Sequence, residues 1–256
     1  MSEKRVSFGI DALDKMISGG LLQGSANLIE GAPGTGKTTL GMEFIYNGIM
    51  KFDEPGLIIT FEEFPQQYYH DALQFKWDFK KLESQQKLKI IFSDPHTTLT
   101  EFDKMDGELV SIVESMNVKR VLIDSMTHFE SIAIDPFELR ELERRLINAL
   151  KREGVTSLLL RENDNLLGQV THVTSKIPFI VDTYMLLRYV EIDSAIEKAL
   201  CILKMRGSDH HKDIRCFRIS SQGIEVESKF SGREGIMSGI THTPQDAFVN
   251  VFGKKK

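Results

Sequence analysis

The sequence predicts an α/β fold: a mostly parallel central sheet with helices on both faces and an antiparallel extension of strands toward the C-terminus. Three observations point to it. Short apolar runs alternate with longer amphipathic ones from residue 26 to residue 160. A glycine-rich run joins the first strong strand pattern to the first strong helix pattern. After residue 175 the long helical runs stop and strand-like runs follow one another.

In chain order, ANLIEG (26–31) reads as a buried strand. A helix is expected from Lys37 to about Lys51, where Leu40, Phe44, Ile45 and Ile49 recur at helical spacing. GLIITF (56–61) reads as a strand, 66–82 as a helix, KLKIIF (87–92) as a strand and 101–116 as a helix. VKRVLID (118–124) is a strongly β-branched strand. Residues 136–152 form a clear amphipathic helix, with Pro136 near its start and Gly154 just past its end. VTSLLL (155–160) is another strand. IVDTYMLLRYVEI, ALCILKMRG, DIRCFRIS and GIEVES then supply the antiparallel extension. No Pro/Ser-rich linker and no internal repeat interrupts the 256 residues. They are read as one domain, 1–230, with a tail, 231–256, that is either partner-binding or disordered.

Composition excludes several classes. Hydrophobic residues at 41% and charged residues at 27% are ordinary globular proportions, against disordered, collagen-like and coiled-coil readings. The formal net charge of −5 gives no electrostatic reason to expect a nucleic-acid partner, and no aromatic-plus-basic stripe suggests one. Cys201 and Cys216 have no CxxC spacing, so they read as buried strand thiols rather than a disulfide framework or a zinc site. His70, His96, His128, His172 and His242 show no metal-binding spacing. The N-terminus lacks an apolar signal region, and IPFIVDTYMLLRYVEI is broken by Asp182 and Arg188, short of a spanning helix. A cytoplasmic protein without membrane contact is expected. The terminal GKKK reads as a short solvated basic run.

The glycine-rich run is Gly31-Ala-Pro-Gly34-Thr35-Gly36-Lys37-Thr38, followed by Thr39. It fits G-x-x-x-x-G-K-[ST], and its place between strand and helix is the context the motif needs. A chance match falls in on the order of one chain in a hundred. Glycines let a backbone wrap closely around phosphates, and the positive end of the following helix adds to the attraction. Lys37 is then the cation for the β- and γ-phosphates, and the Thr38 hydroxyl a Mg²⁺ ligand.

Such a loop needs an acid at the end of a neighbouring strand to hold the Mg²⁺ water shell. Asp124, closing VLID, is the candidate. Glu62-Glu63 follow the second strand, and in a parallel sheet the strands' C-terminal ends face the nucleotide crevice. A carboxylate there can orient and deprotonate an attacking water. Spacing alone leaves open whether these two are catalytic or merely solvated.

Together with Gly19-Gly20-Leu21, EFIYNGI (43–49), FDEPGLIITFEEFPQ (52–66), VLIDS (121–125), YVEI (189–192) and KMRGSDHHKDIRCF (204–217), these residues closely resemble the KaiC ATPases, a RecA-like branch of the P-loop NTPases. The resemblance runs from about residue 5 to residue 226. It implies a RecA-like fold and a hexameric ring of identical chains, with ATP and Mg²⁺ held between subunits. It implies Glu62 as catalytic base, with Glu63 as its acidic companion. KMRGSxH resembles the family's arm toward the neighbour's nucleotide: Lys204 and Arg206 at the γ-phosphate, Met205 along the same arm, His210 and Ser208 near the ribose.

The sequence also departs from the pattern. The family's clock proteins carry two such domains in tandem, and this chain has one. Aligned on Val181-Asp182-Thr183, Pro178-Phe179 stand where an autokinase domain has its adjacent Ser-Thr acceptors, so phosphorylation at that place is chemically impossible. Thr171, Thr174 and Ser175 are the nearby alternatives. Arg161-Glu162-Asn163 stand where the family often has Glu-Arg, which moves or removes a cation near the phosphates. The resemblance points first to a regulatory, ATP-hydrolysing ring ATPase acting on an unknown protein partner; the alternatives are a recombinase-like DNA-dependent ATPase and a slowly hydrolysing, nucleotide-dependent scaffold.

Overall fold

A computed structural model describes residues 4–163 and 177–230 of the chain. Its elements in order are β1 (Arg5–Val6), α1 (Asp11–Met16), β2 (Leu21–Leu22), β3 (Ala26–Gly31), α2 (Lys37–Phe52), β4 (Gly56–Thr60), α3 (Pro65–Gln74), α4 (Phe79–Ser84), β5 (Leu88–Phe92), α5 (Pro95–Asp103), α6 (Glu108–Ser115), β6 (Arg120–Asp124), a 3-10 turn (Met126–Ser131), α7 (Pro136–Arg152), β7 (Thr156–Glu162), α8 (Ile177–Ile180), β8 (Thr183–Ile192), β9 (Ala195–Met205), β10 (Arg215–Ser220) and β11 (Gly223–Lys229).

Nine strands form one sheet in the order β11-β10-β9-β8-β3-β7-β6-β4-β5. The six strands from β8 to β5 run parallel, and β9, β10 and β11 extend the β8 edge antiparallel. The expected architecture is thus present, with one adjustment: the 180–192 run enters the sheet only at Thr183, and as a parallel neighbour of β3 rather than as part of the antiparallel extension. A short β1–β2 ribbon stands apart from the main sheet. The sequence pattern marks no element over residues 5–22.

The sheet's two faces sort by the period of two along each strand. Ile29, Ile58, Leu122, Leu158 and Leu160 join Leu40, Phe44 and Ile45 of α2 in one core. Leu28, Leu57, Ile59, Val121, Ile123 and Leu159 join Leu146, Ile147 and Leu150 of α7 in a second. Every residue of β3 is buried, as expected of a central strand covered on both sides. Cys201 and Cys216 are both buried, on β9 and β10, and neither is in a disulfide.

Two expected helices are broken. The 66–82 pattern divides into α3 and α4 because Lys76 takes a left-handed conformation (φ 61°). Trp77 N–H then turns back to Ala72 O, and the indole is buried in a stack with Phe75 and Tyr46. Asp78 restarts the chain by accepting from Lys81 N–H at 2.9 Å. The 101–116 pattern starts earlier, at Pro95, with Asp94 as its cap, and ends at Asp103. Gly107 then lies so close to the Glu101 carbonyl that no side chain fits, and the Glu101 carboxylate accepts from Glu108 N–H at 2.7 Å to open α6.

Candidate active site

The strand register sets the site. Gly31 of β3 lies opposite Glu162 of β7, and Thr60 of β4 lies opposite Asp124 of β6. The carboxyl ends of these four adjacent strands therefore form one row, where an α/β sheet binds its ligands. The loop leaving β3 and the start of α2 close over it. The resulting cavity, about 370 Å³, is lined by Pro33, Gly34, Gly36, Lys37, Thr38, Thr39, Thr60, Glu62, Glu63, Tyr68, Asp124, Glu162 and Ile219.

The loop's glycines are needed for two reasons. Gly34 and Gly36 hold positive φ (74° and 106°), which side-chain-bearing residues take only under strain. The extension also presses on them from behind: a Cβ would come within 2.7 Å of the Tyr189 hydroxyl at Gly34, and within 2.7 Å of Ile219 Cδ1 at Gly36. Gly31 is hemmed in similarly, with Thr35 Oγ1 at 2.7 Å and Leu187 O at 2.8 Å from such a Cβ. Ala32 O is the loop's internal anchor. It accepts from Thr35 N–H at 3.2 Å, from the Thr35 hydroxyl at 2.7 Å and from Lys37 Nζ at 3.1 Å. Thr35 is thus fully buried and turned inward, and its side chain shapes the loop rather than facing the cavity.

Lys37 is buried, and burial lowers its pKa, while the carboxylates of Glu162, Asp124 and Glu30 pull it back up. Beside it, the Thr38 hydroxyl donates to Asp124 Oδ2 at 2.8 Å, and the Tyr68 hydroxyl donates to the same oxygen at 2.8 Å. Burial raises the Asp124 pKa, opposed by the Tyr68 and Thr38 hydrogen bonds and by Lys37. A hydroxyl and a carboxylate side by side are hard oxygen donors. They suit Mg²⁺, which takes few protein ligands and keeps phosphate and water oxygens for the rest. The glycine cradle, the buried cation and this oxygen pair together fit a nucleoside triphosphate with Mg²⁺.

Glu62 and Glu63 stand at the mouth of the same cavity. Thr60 fixes the turn that carries them: its hydroxyl donates to Glu63 O at 3.0 Å and accepts from Glu63 N–H at 3.2 Å. The Glu62 side chain is 71% exposed, with His128 Nε2 at 3.7 Å. Burial raises the Glu63 pKa, helped by the nearby Asp124, Asp71 and Glu62 carboxylates.

The KMRGSDHH segment lies elsewhere. None of Lys204, Met205, Arg206, Ser208 and His210 lines the cavity of its own chain. Lys204 Nζ donates to Pro178 O at 2.8 Å and Val181 O at 2.7 Å, and Arg206 Nη2 donates to Phe179 O at 2.7 Å, so both cations collect at the carbonyl end of α8. The Met205 side chain is buried in the core, which leaves its backbone as the part available to a ligand. The Ser208 hydroxyl accepts from Arg5 Nη2 at 2.6 Å. His210 Nδ1 is buried and makes no hydrogen bond among the described residues.

Tyr68, Thr60 and Ile219 also line the cavity, and no sequence motif marks them. Tyr68 occupies an apolar position of an amphipathic helix and reads as core. Thr60 closes a buried strand, and only its register against Asp124 marks it. At Arg161-Glu162-Asn163, where the sequence suggests a cation moved or removed from the phosphates, Arg161 is buried beside Glu30 (3.6 Å) and Glu130 (2.8 Å), and it is Glu162 that lines the cavity. Thr171, Thr174, Ser175, His172, His242 and the tail 231–256 lie outside the described residues.

A phosphate-loop motif at the carboxyl edge of a parallel sheet, with an acid two strands away and one strand inserted between, defines a P-loop NTPase of the RecA-like kind. Comparison with known proteins narrows this. The sequence model of the KaiC ATPase family matches residues 6–231. Circadian clock protein KaiC3 of Synechocystis sp. is 33% identical over 241 residues, covering 93% of this chain and 46% of that protein. The circadian clock oscillator protein KaiC of Synechococcus elongatus is 35% identical over 227 residues, covering 85% of this chain and 43% of that protein. The chain thus spans about half the length of these curated relatives. The crystal structure of a KaiC-like protein from the archaeon Pyrococcus horikoshii superposes with a TM-score of 0.78 at 30% identity, over 89% of this chain and all of that one. The chain belongs to the KaiC ATPase family. Among the described residues, no helix is long and apolar enough to cross a membrane.

Proposed function

We propose that this chain binds ATP with Mg²⁺ and hydrolyses it to ADP and phosphate, in a ring of identical subunits that signals to a protein partner. The observation that carries the reading is the Thr38–Asp124 hydrogen bond at 2.8 Å beside the buried Lys37, in one cavity with Glu62 and Glu63. Mg²⁺, when bound, supplies charge neutralisation between the β- and γ-phosphates. Thr38 and Asp124 are the residues to hold it, and Gly34, Gly36, Lys37 and Thr39 those to hold the phosphates. Glu62 is open enough for a water to stand between it and the cavity, and as general base takes that water's proton. Glu63 backs it with a second acid on the same turn.

The position of Lys204 and Arg206 supports the ring. A cation at the transferring phosphate stabilises the charge that spreads in the transition state. In the single chain these two lie outside the cavity, so we assign them, with Ser208 and His210, to a neighbour's nucleotide. Domain limits of 1–230, with 231–256 as a partner-facing or disordered tail, complete the proposal.

Glu62→Gln tests it. Equilibrium ATP binding is expected to persist while turnover falls by roughly a hundredfold or more, in the range for loss of a general base. Turnover equal to wild type sinks the assignment. Strong stimulation of the wild type by single-stranded DNA would favour the recombinase-like alternative instead.

A further inference from the structure

Among the described residues Tyr68 is the one aromatic side chain in the cavity lining, and nothing in the P-loop motif calls for it. It sits in the first turns of α3, which starts at Pro65, directly after Glu62-Glu63-Phe64. Its ring is 1% exposed, yet its hydroxyl is not turned to a backbone carbonyl or to solvent. It donates to Asp124 Oδ2 at 2.8 Å, the oxygen that also takes the Thr38 hydroxyl at 2.8 Å. A buried phenol needs a partner, and many would serve. Here the partner is Asp124, the carboxylate that also takes the Thr38 hydroxyl and is proposed to hold the metal. An ionised carboxylate offers about four acceptor sites over two oxygens. Two donors from two different helices, α2 and α3, both fall on Oδ2, and neither falls on Oδ1. Two such bonds fix both the rotation of the carboxyl group and which oxygen remains for a cation or its water shell.

We propose that Tyr68 is a positioning residue for the metal shell: its hydroxyl, together with that of Thr38, clamps Asp124 Oδ2 and leaves Oδ1 to serve Mg²⁺. This rests on the reading of the cavity as an ATP–Mg²⁺ site. The clamp also ties α3, and the acidic turn that precedes it, to the end of β6. The general parallel is the outer-shell partner of a metal ligand, whose removal weakens metal affinity without removing any ligand.

The test is equilibrium binding of a fluorescent ATP analogue to the full chain, in excess Mg²⁺ and in EDTA, for wild type and Tyr68→Phe. Melting temperatures without nucleotide are measured alongside. The expected result is an unchanged dissociation constant in EDTA and a gain from Mg²⁺ that shrinks by roughly tenfold. Mg²⁺ titration at fixed analogue should give a midpoint raised by a similar factor. An undiminished Mg²⁺ gain in Tyr68→Phe overturns the proposal. So does equal weakening in Mg²⁺ and EDTA with a lowered melting temperature, which is the signature of a merely structural phenol. Should Tyr68→Phe fail to fold, Tyr68→Leu deletes the same donor and is read by the same criteria. A wild type that binds the analogue without any Mg²⁺ gain overturns the underlying site reading as well.

Discussion

Glu43 lies on α2 with its carboxylate against β11, where it accepts from Ile224 N–H at 2.7 Å. Burial pushes its pKa up to about 7, against the lowering effect of that hydrogen bond, of Lys51 and of Asn47. In the unfolded chain a glutamate titrates near 4.3. Folding therefore takes up a proton between these values. The native state's advantage from this group is complete below about pH 4 and is lost as pH rises through about 7. Glu43→Gln keeps an acceptor for Ile224 and removes the titration. Its urea midpoint is expected to match wild type near pH 4.5 and to exceed it at pH 8, by roughly 2–3 kcal/mol of stability. Parallel stability profiles of the two proteins across this range would contradict the assignment. Glu43 sits within a helical motif that the sequence does display, but its environment is supplied by β11, far along the chain.

Among the elements, α2 shows how a helix is fitted to its sheet. Gly41 and Gly48 are two turns apart on one face. A Cβ at Gly41 would stand 2.6 Å from Leu122 Cδ1 of β6, and one at Gly48 would overlap the Arg120 side chain. Arg120 is fully buried and cannot move aside: its guanidinium pairs with Glu54, donates to Phe44 O at 2.9 Å and lies over the Phe44 ring at 4.5 Å. Gly48→Ala raises helix propensity but overpacks this contact. It is expected to cost roughly 1–3 kcal/mol, read as a lowered denaturant midpoint. An unchanged or higher midpoint would mean that propensity outweighs the clash. The broken helices give the same lesson in reverse. The periodicity of 66–82 and 101–116 is helical on average, and the breaks at Lys76 and Gly107 come from a buried Trp77 and a close approach to Glu101. Neither contact leaves a mark in a local pattern.

At the scale of the whole molecule, the arm at Lys204–His210 is held by the chain's own N-terminal segment. Arg5 donates to Ser208, the Ser18 hydroxyl to Asp209 O at 2.8 Å, and His211 N–H to Met16 O at 2.8 Å. The proposed ring puts that arm on the neighbouring cavity, and mixing two inactive variants tests this. Glu62→Gln keeps the arm and loses the base; Arg206→Ala keeps the base and loses the arm. If the arm acts across subunits, mixed assemblies regain turnover at interfaces that pair an intact cavity with an intact arm. With random mixing in a ring about a quarter of interfaces qualify, so activity should rise clearly above either variant alone. No gain on mixing would place the arm's action within one subunit.

By itself the sequence determined the layered α/β architecture, because strand and helix periods are local properties of the side-chain pattern. It also displayed the phosphate-loop motif, because those residues keep a fixed spacing within one strand–loop–helix unit, and it offered Asp124 as the acid that closes an apolar strand elsewhere in the chain. The family likeness carried Glu62, Glu63 and the 204–210 arm, which local spacing alone left open. Only the tertiary structure decided that Tyr68 joins Thr38 on one oxygen of Asp124, that Thr35 turns inward, that Arg161 lies beside Glu30 and Glu130 while Glu162 faces the cavity, and that the arm's cations lie outside their own chain's cavity. Those outcomes depend on strand register, on which helix face meets which strand, and on the distance between segments remote in sequence. None of these is encoded in any one stretch of residues.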